Sequence, residues 1–331
     1  MTDDPRPDRG VPPEDGEEDG EAPEKRGATV ARFFLLPLLV VGTALVIFLV
    51  FNLMTFERRS PLDELSEVRG GTANRRWQAA FELSRSIGRI PPGAERDAFA
   101  AETRRVFDGL SGKRPEDVKV RRYLVLVLGK LQDRAALPEL LAAAKDPDPE
   151  TRLYSVWALG MLGDPSAFDT VIDSSSSDDA GARKMAAYVL GKLGDRRAIS
   201  RLRVLLGDPV EDVRWNAAIA LASLHDASGL EVLRKMLDRR ATALEARLSS
   251  DQSEVAMVSA LQALAILKDP ASLPLVERLA RDDPNLRVRE AARKTVEATR
   301  GSSRETAPGA VPSRPRASSR NLERAAALLV V

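Results

Sequence analysis

Few residue types in this sequence could carry out catalysis. It holds a single histidine, His225, and no cysteine. That composition excludes disulfides, thiol nucleophiles and Cys-ligated metals, and it leaves too few ligands for a typical zinc or di-iron site with imidazole. No Gly-rich phosphate loop, nucleophile elbow or zinc motif is present. We therefore expect no enzyme activity, no catalytic or metal-binding residues and no cofactor.

Charged residues recur instead at a fixed spacing. An aspartate stands six residues before an arginine in three places: Asp146 and Arg152, Asp208 and Arg214, Asp283 and Arg289. Carboxylate and guanidinium groups form strong hydrogen-bonded pairs, and guanidinium groups also bind anions. Both a structural ladder and an anion-binding row are therefore possible uses of this pattern.

The elements that position these residues belong to an internal repeat. The motif Val189-Leu190-Gly191-Lys192-Leu193-Gly194-Asp195 has four related copies, and the small residue in its third place lies at 129, 160, 191, 222 and 265. The intervals are 31, 31, 31 and 43 residues. A period of this size is typical of stacked structural units. The sequence therefore predicts an all-α protein, an α-solenoid of about seven helical-hairpin repeats.

One unit shows which residues begin and end the helices of each hairpin. A helix predicted to run from about Asp146 to Leu162 ends at Gly163, which can adopt the left-handed conformation. Asp164 then caps a second helix that has Pro165 at its first position. Two helices of about a dozen residues cannot bury their apolar faces alone, so neighbouring units must stack.

The repeats resemble the HEAT family, in the short form also found in phycobilin lyases. Residues 208–221 are similar to its D-P-x-x-x-V-R-x-x-A-A-x-A-L pattern, and the resemblance covers about residues 60–299. It implies Asp–Arg bonds that link successive repeats, and we therefore favour the structural ladder over an anion-binding row. An arginine column eight residues before the small residue fits this, although Met257 interrupts it: Arg76, Arg121, Arg152, Arg183, Arg214 and Arg289. HEAT-like hydroxylases bind two irons through His-Glu pairs, which His225 alone does not provide.

Aromatic and basic residues share the helix side opposite the predicted leucine core. An α-helix advances about 100° per residue, which brings them to one face. We predict that this face is concave and binds a protein or peptide. Packing between neighbouring helices is the alternative use of the same positions. The predicted residues are Trp77, Phe81, Arg122, Trp157, Lys184, Tyr188 and Trp215.

The chain before the repeats predicts a membrane anchor. Residues 33–56 contain no charged side chain, and about 20 apolar residues suffice to span a bilayer as a helix. Residues 1–32 carry a net charge of −5 and predict a disordered acidic tail, and residues 300–331 carry +4 and predict a disordered basic tail. The repeats would then occupy residues 57–299.

These patterns together predict a single-pass protein of the cell membrane with a repeat domain that acts as a scaffold or adaptor. Positive charges flank the apolar run almost equally, so the orientation rests on its resemblance to a signal anchor, which favours an extracytoplasmic repeat domain. The overall charge of +1 gives no reason to expect nucleic acid as a partner. The alternative is an enzyme of the HEAT-like lyase or hydroxylase type.

Overall fold

A computed structural model describes residues 24–55, 60–90, 92–112, 114–239 and 249–305. The chain forms two compact units, Met1–Arg59 and Ser60–Val331. The first unit contains helix α1 (Glu24–Thr55), which includes Pro37. This helix begins nine residues before the predicted apolar run. The remainder of the predicted acidic tail, residues 1–23, lies outside the described residues.

The described side chains of α1 are those of Leu35 and of residues 37–51, and all of them are exposed. Large apolar groups dominate this stretch, among them Leu38 at 70% exposure and Phe51 at 67%. No helix within the residues that the structure describes is long and apolar enough to cross a membrane. The predicted membrane span is therefore not supported by the structure.

Helices are the regular secondary structure of the second unit's described residues, as predicted. Its last helix runs six residues past the predicted domain end at 299, and the rest of the predicted basic tail, residues 306–331, lies outside the described residues. The helices are α2 (Pro61–Gly70), α3 (Ala73–Ser86), α4 (Ala94–Asp108), α5 (Pro115–Leu131), α6 (Leu137–Ala143), α7 (Pro149–Leu162), α8 (Phe168–Ser174), α9 (Ala180–Leu193), α10 (Ile199–Leu205), α11 (Glu211–Ser223), α12 (Leu230–Met236), α13 (Ser250–Leu267), α14 (Leu273–Asp282) and α15 (Leu286–Glu305).

Long and short helices alternate from α5 onward, and the second helix of a unit is shorter than predicted. In the unit of α7, a 3-10 turn (Pro165–Ala167) takes the place of the first turn of the second helix, and α8 has only seven residues. The carboxylate of Asp164 accepts a hydrogen bond from the backbone N–H of Ser166, two residues on. This tight local bond favours the 3-10 turn, and related turns precede α6, α10, α12 and α14.

One residue at or just beyond the end of each long helix from α5 to α13 lies in the left-handed region. Gly163 and Gly194 have φ of 66° and 73°, and the equivalent residues Gln132, His225 and Lys268 have φ of 55°, 57° and 52°. His225 is exposed there. The single histidine is therefore a solvent-exposed turn residue in this structure.

Each long helix packs against the next long helix, in the order α3, α5, α7, α9, α11, α13 and α15, and each short helix packs against the long helix that follows it. The apolar side chains between them form two buried clusters. One extends from Leu65 to Leu224 and the other from Trp215 to Ala292. Leu190, the leucine of the repeated motif, is fully buried in the first.

The glycine of the motif lies where successive long helices approach most closely. A Cβ added to Gly191 would stand 2.7 Å from the Cβ and 2.8 Å from the Cα of Ala220 on the next helix. Added to Gly160, it would stand 2.7 Å from Val189, and added to Gly129, 2.6 Å from Ala158. The third place of the motif is therefore small because the backbone of one helix contacts the next.

We predict that Gly191→Ala destabilises the repeat domain by about 1–3 kcal/mol, because the new methyl group meets the backbone of α11. Alanine is otherwise the better helix former by about 1 kcal/mol. Chemical denaturation followed by circular dichroism measures the change. Gly301→Ala is the matched control, since nothing lies within 4 Å of its added Cβ; equal effects of the two substitutions would contradict the close approach.

Candidate functional site

The ladder aspartates pair with arginines of the preceding unit. Asp146 accepts two hydrogen bonds from Arg121 at 3.1 and 3.0 Å, 25 residues earlier. Asp208 accepts bonds of 2.7 and 3.0 Å from Arg183, again 25 residues earlier. Both carboxylates are buried. The bonds therefore link successive repeats.

The arginine six residues after each ladder aspartate has a different role. Arg214 donates through Nη1 to the backbone carbonyls of Asp208 and Pro209, at 2.9 and 3.1 Å. Arg152 and Arg289 make the same pair of bonds to the carbonyls of residues 146–147 and 283–284. These arginines thus hold the turn before their own helix. Arg183 does both, since it also binds the carbonyls of Ser177 and Asp178.

Two further ladder pairs do not follow the sequence register. Asp283 pairs with Arg239 at 2.7 Å, across 44 residues, so the longer interval supplies an arginine where Met257 interrupts the column. Asp117 pairs with Arg76 at 3.0 Å, although the residue that stands six before Arg121, where the repeat would place the aspartate, is Pro115. Fixed spacing along the chain could not predict these pairs. An insertion changes the number of residues between the two partners but leaves the aspartate and the arginine next to each other in the structure.

The pair of Asp208 and Arg183 makes stability depend on pH. The Arg183 hydrogen bonds lower the pKa of Asp208, against the smaller opposing effect of burial, and the same bonds raise the pKa of Arg183. A carboxyl with a lowered pKa in the folded state stabilises that state at pH above its unfolded pKa of about 3.9. This stabilisation is lost as the pH falls through the lower, folded-state value.

We predict that Asp208→Asn lowers the free energy of unfolding at pH 7 by about 3 kcal/mol, because Arg183 loses its buried partner. The loss should shrink as the pH falls below about 4, since the wild-type carboxyl then takes up a proton more readily in the unfolded state than in the folded state. Urea denaturation at a series of pH values measures both effects. Asp173→Asn, at an exposed site, is the control, with an expected change under about 0.5 kcal/mol; a loss at Asp208 that stays the same at pH 3 would contradict the pairing.

The predicted binding face is a row of half-buried side chains along the long helices, which we call the aromatic ridge. It contains Trp77 on α3, Trp157 on α7 and Tyr188 on α9. Phe81 of α3 meets Tyr123 of α5 edge to face, with ring centroids 5.2 Å apart. The ridge members are Trp77, Phe81, Arg122, Tyr123, Tyr154, Trp157, Lys184 and Tyr188, of which Tyr123 and Tyr154 were not predicted.

Packing between helices holds the ridge side chains in place. A Cβ added to Gly129 of α5 would stand 3.1 Å from Cζ3 of Trp157 on α7, so the indole lies against the preceding helix. The Trp77 indole N–H donates to Asn74 at 2.8 Å, and the ammonium group of Lys119 stands 5.3 Å from its ring centroid. The alternative of lateral packing thus describes part of each ring's contacts, while part of each ring remains exposed.

The cations of the ridge are paired with acids of the following unit. Arg122 donates to both carboxylate oxygens of Asp148, at 3.2 and 2.9 Å, and contacts Glu150. Burial alone would raise the pKa of Asp148, but hydrogen bonds from Arg122 and Thr151 outweigh it and lower the pKa. Lys184 stands 3.5 Å from Asp212 in the same way. The ridge therefore presents alternating charges between its rings.

Trp215 departs from the prediction. Its side chain is only 2% exposed, in a buried cluster that also contains Met257 and Leu261 of α13. Helix α13 has 18 residues, about one turn more than α7, α9 or α11. Trp215 thus belongs to the core and not to the ridge, because the neighbouring helix and not the periodicity of α11 decides what covers it.

None of the His, Asp or Glu side chains that the structure describes form a group of three that could hold a metal ion. Two open grooves of about 520 and 630 Å³ lie elsewhere, the first between α2 and α4 beside Arg76 and Leu110, the second between α14 and α15 beside Glu277 and Arg300. Both are lined mainly by charged side chains, which suits surface contact better than enclosure of a substrate.

Comparison with known families agrees with this geometry. The family of HEAT repeats matches residues 110–187 and 171–246. Residues 110–246 contain HEAT repeats. The match begins in the turn before α5 and covers the units in which the ladder and the ridge are most regular. No match was found among the curated proteins.

Solved structures include two similar chains. One belongs to the complex of CpcE and CpcF of phycocyanin lyase from Nostoc sp. PCC7120, with 17% identity, a TM-score of 0.51 and coverage of 82% of this chain and 95% of that chain. The other is human deoxyhypusine hydroxylase in complex with glycerol, with 19% identity, a TM-score of 0.28 and coverage of 76% and 99%. The first shows a shared HEAT-like fold.

Proposed function

We propose that the repeat domain is a non-catalytic scaffold that binds another protein or peptide along the aromatic ridge. The observation that carries the proposal is the row of half-buried rings on successive long helices, with Trp77 on α3, Tyr123 on α5, Trp157 on α7 and Tyr188 on α9. Aromatic and arginine side chains dominate the energetics of protein interfaces. Rings already fixed by their neighbours lose little freedom on binding.

The charges of the ridge favour a partner that carries both signs. Arg122 and Lys184 alternate with Asp148, Glu150 and Asp212 at the rim of the rings. Such alternation sets the register of a bound chain more than its affinity. HEAT repeats support an interaction between proteins, and the similar lyase chain is named as one of a complex of two proteins.

Photo-crosslinking tests the position of the binding surface. A photoreactive phenylalanine analogue at Tyr188 should give a defined crosslinked product with a partner in intact cells. The same analogue at Val204, which is 63% exposed on α10, is the control and should give none. Equal products from both positions, or products from Val204 alone, would place the partner elsewhere.

Trp157→Ala should weaken partner binding by about 2 kcal/mol, roughly thirtyfold in Kd, with a smaller loss of stability than Trp215→Ala. Trp215 is buried, so its truncation should cost about 3–5 kcal/mol of folding stability. The crosslinked partner, once identified, is titrated against both variants, and their unfolding is measured in parallel. A large stability loss without a separate binding defect at Trp157 would favour a purely structural ridge.

A membrane anchor in residues 33–56 completes the proposal. Two observations support it: the run has no charged residue, and every described side chain of α1 is exposed. Exposed apolar groups on all sides of one helix are costly in water and favourable in lipid.

Fractionation of cells that make the full chain tests the anchor. We expect the chain in the membrane fraction after alkaline washing, and we expect deletion of residues 1–56 to release a soluble helical domain. Protease added outside intact cells or spheroplasts distinguishes an extracytoplasmic repeat domain, which it cleaves, from a cytoplasmic one, which it leaves intact. Full-length chain in the soluble fraction without detergent, or cleavage near residue 55, would contradict the anchor.

A further inference from the structure

The ladder has a gap at Ser177. Arg121 pairs with residue 146 and Arg183 pairs with residue 208, in both cases 25 residues later. The same step from Arg152 leads to Ser177, which stands where the units before and after carry the ladder aspartate. The repeat therefore places a serine hydroxyl at a position built for a carboxylate.

Ser177 already makes the local hydrogen bond of a ladder aspartate. Its Oγ accepts from the backbone N–H of Asp179, two residues on, at 3.2 Å. The equivalent oxygens of Asp146 and Asp208 accept from residues 148 and 210 at 3.0 and 2.9 Å. The side chain of Ser177 is half-buried and occupies the ladder position, but it lacks the second, charged oxygen that reaches the arginine.

Two guanidinium groups contact this turn, and the repeat step of 25 residues places a third, that of Arg152, opposite Ser177. Arg152 uses Nη1 for the carbonyls of Asp146 and Pro147, and among the described residues it forms no ion pair. Arg183 donates to the carbonyl of Ser177 at 3.0 Å. Arg201 donates to the hydroxyl and the carbonyl of Ser175 at 2.8 and 2.6 Å. The turn thus combines an unfilled acidic position with an arginine, Arg152, that forms no ion pair among the described residues.

We propose that Ser177 is a phosphorylation site whose phosphate fills the missing ladder position and pairs with Arg152. A protein kinase would transfer the γ-phosphoryl group of a nucleoside triphosphate to Oγ. The new Oγ–P bond forms as the bond between the β and γ phosphates breaks, the hydroxyl proton leaves, and a nucleoside diphosphate is released.

Ser177 is the serine of this turn that the geometry selects. Ser175 is fully buried and bonded to Arg201, and Ser176 is exposed at a position with no ladder partner. Phosphate oxygens form strong bonds with arginine, and residue 177 lies just before the N-terminus of α9, where negative charge is favourable. The exposed Asp178 and Asp179 add repulsion, so Arg152 and Arg183 must offset it.

Phosphoserine placed at 177 in the full chain by suppression of a stop codon tests the pairing. We expect Tm to rise by about 2–4 °C, and hydrogen exchange to slow in α7 and α9. By ³¹P NMR the phosphate should titrate below its ordinary second pKa of about 6, because Arg152 favours the dianion. Phosphoserine at 176 is the control and should show neither effect.

Arg152→Gln decides whether the gain comes from this pair. The substitution should abolish the rise in Tm given by phosphoserine 177 and also the smaller rise expected from Ser177→Asp. An equal rise in both backgrounds, or a fall in Tm with phosphoserine 177, would overturn the pairing. Phosphopeptide mapping of the protein from its native cells should find phosphate on Ser177, and its absence there across growth conditions would overturn the modification.

Discussion

The contact on which the rest of the repeat domain depends is the close approach of successive long helices at one small residue per unit. Gly191 meets the backbone of Ala220, Gly160 meets Val189, and Gly129 meets Ala158. No side chain fits between the helices at these points, so the leucines on either side interdigitate and are removed from water. The distance and register of each unit relative to the next follow from this contact.

The arginine column builds on that register. Within a unit, each arginine holds the carbonyl groups of the turn before its helix, as Arg214 does with Asp208 and Pro209. Between units, one of these side chains, Arg183, also reaches the aspartate of the next unit, Asp208. A single guanidinium has enough donors for both tasks because its five N–H groups diverge. Local turn geometry and the stacking of units are therefore coupled through one side chain.

The same stacking produces the surface to which we assign binding. Rings such as Trp157 are wedged against the preceding helix on one edge and remain accessible on the other. A surface of this kind is rigid before a partner arrives, which reduces the entropic cost of binding. The residues of the aromatic ridge thus also pack against the core. The stacking of the repeats therefore determines the arrangement of the side chains that a partner contacts.

The sequence alone determined the repeat, its period, the glycine that ends α7 and the side of the helix that carries leucine, because these depend on neighbours within one or two turns. Tertiary structure decided the rest. It buried Trp215 in a cluster shared with α13, brought Arg239 to Asp283 across 44 residues and made Arg183 of the preceding unit the partner of Asp208. Helix periodicity determines the direction in which a side chain points. The residues that cover the side chain and the partner that it binds depend on the position of the next unit. Insertions change that position without changing the local sequence pattern.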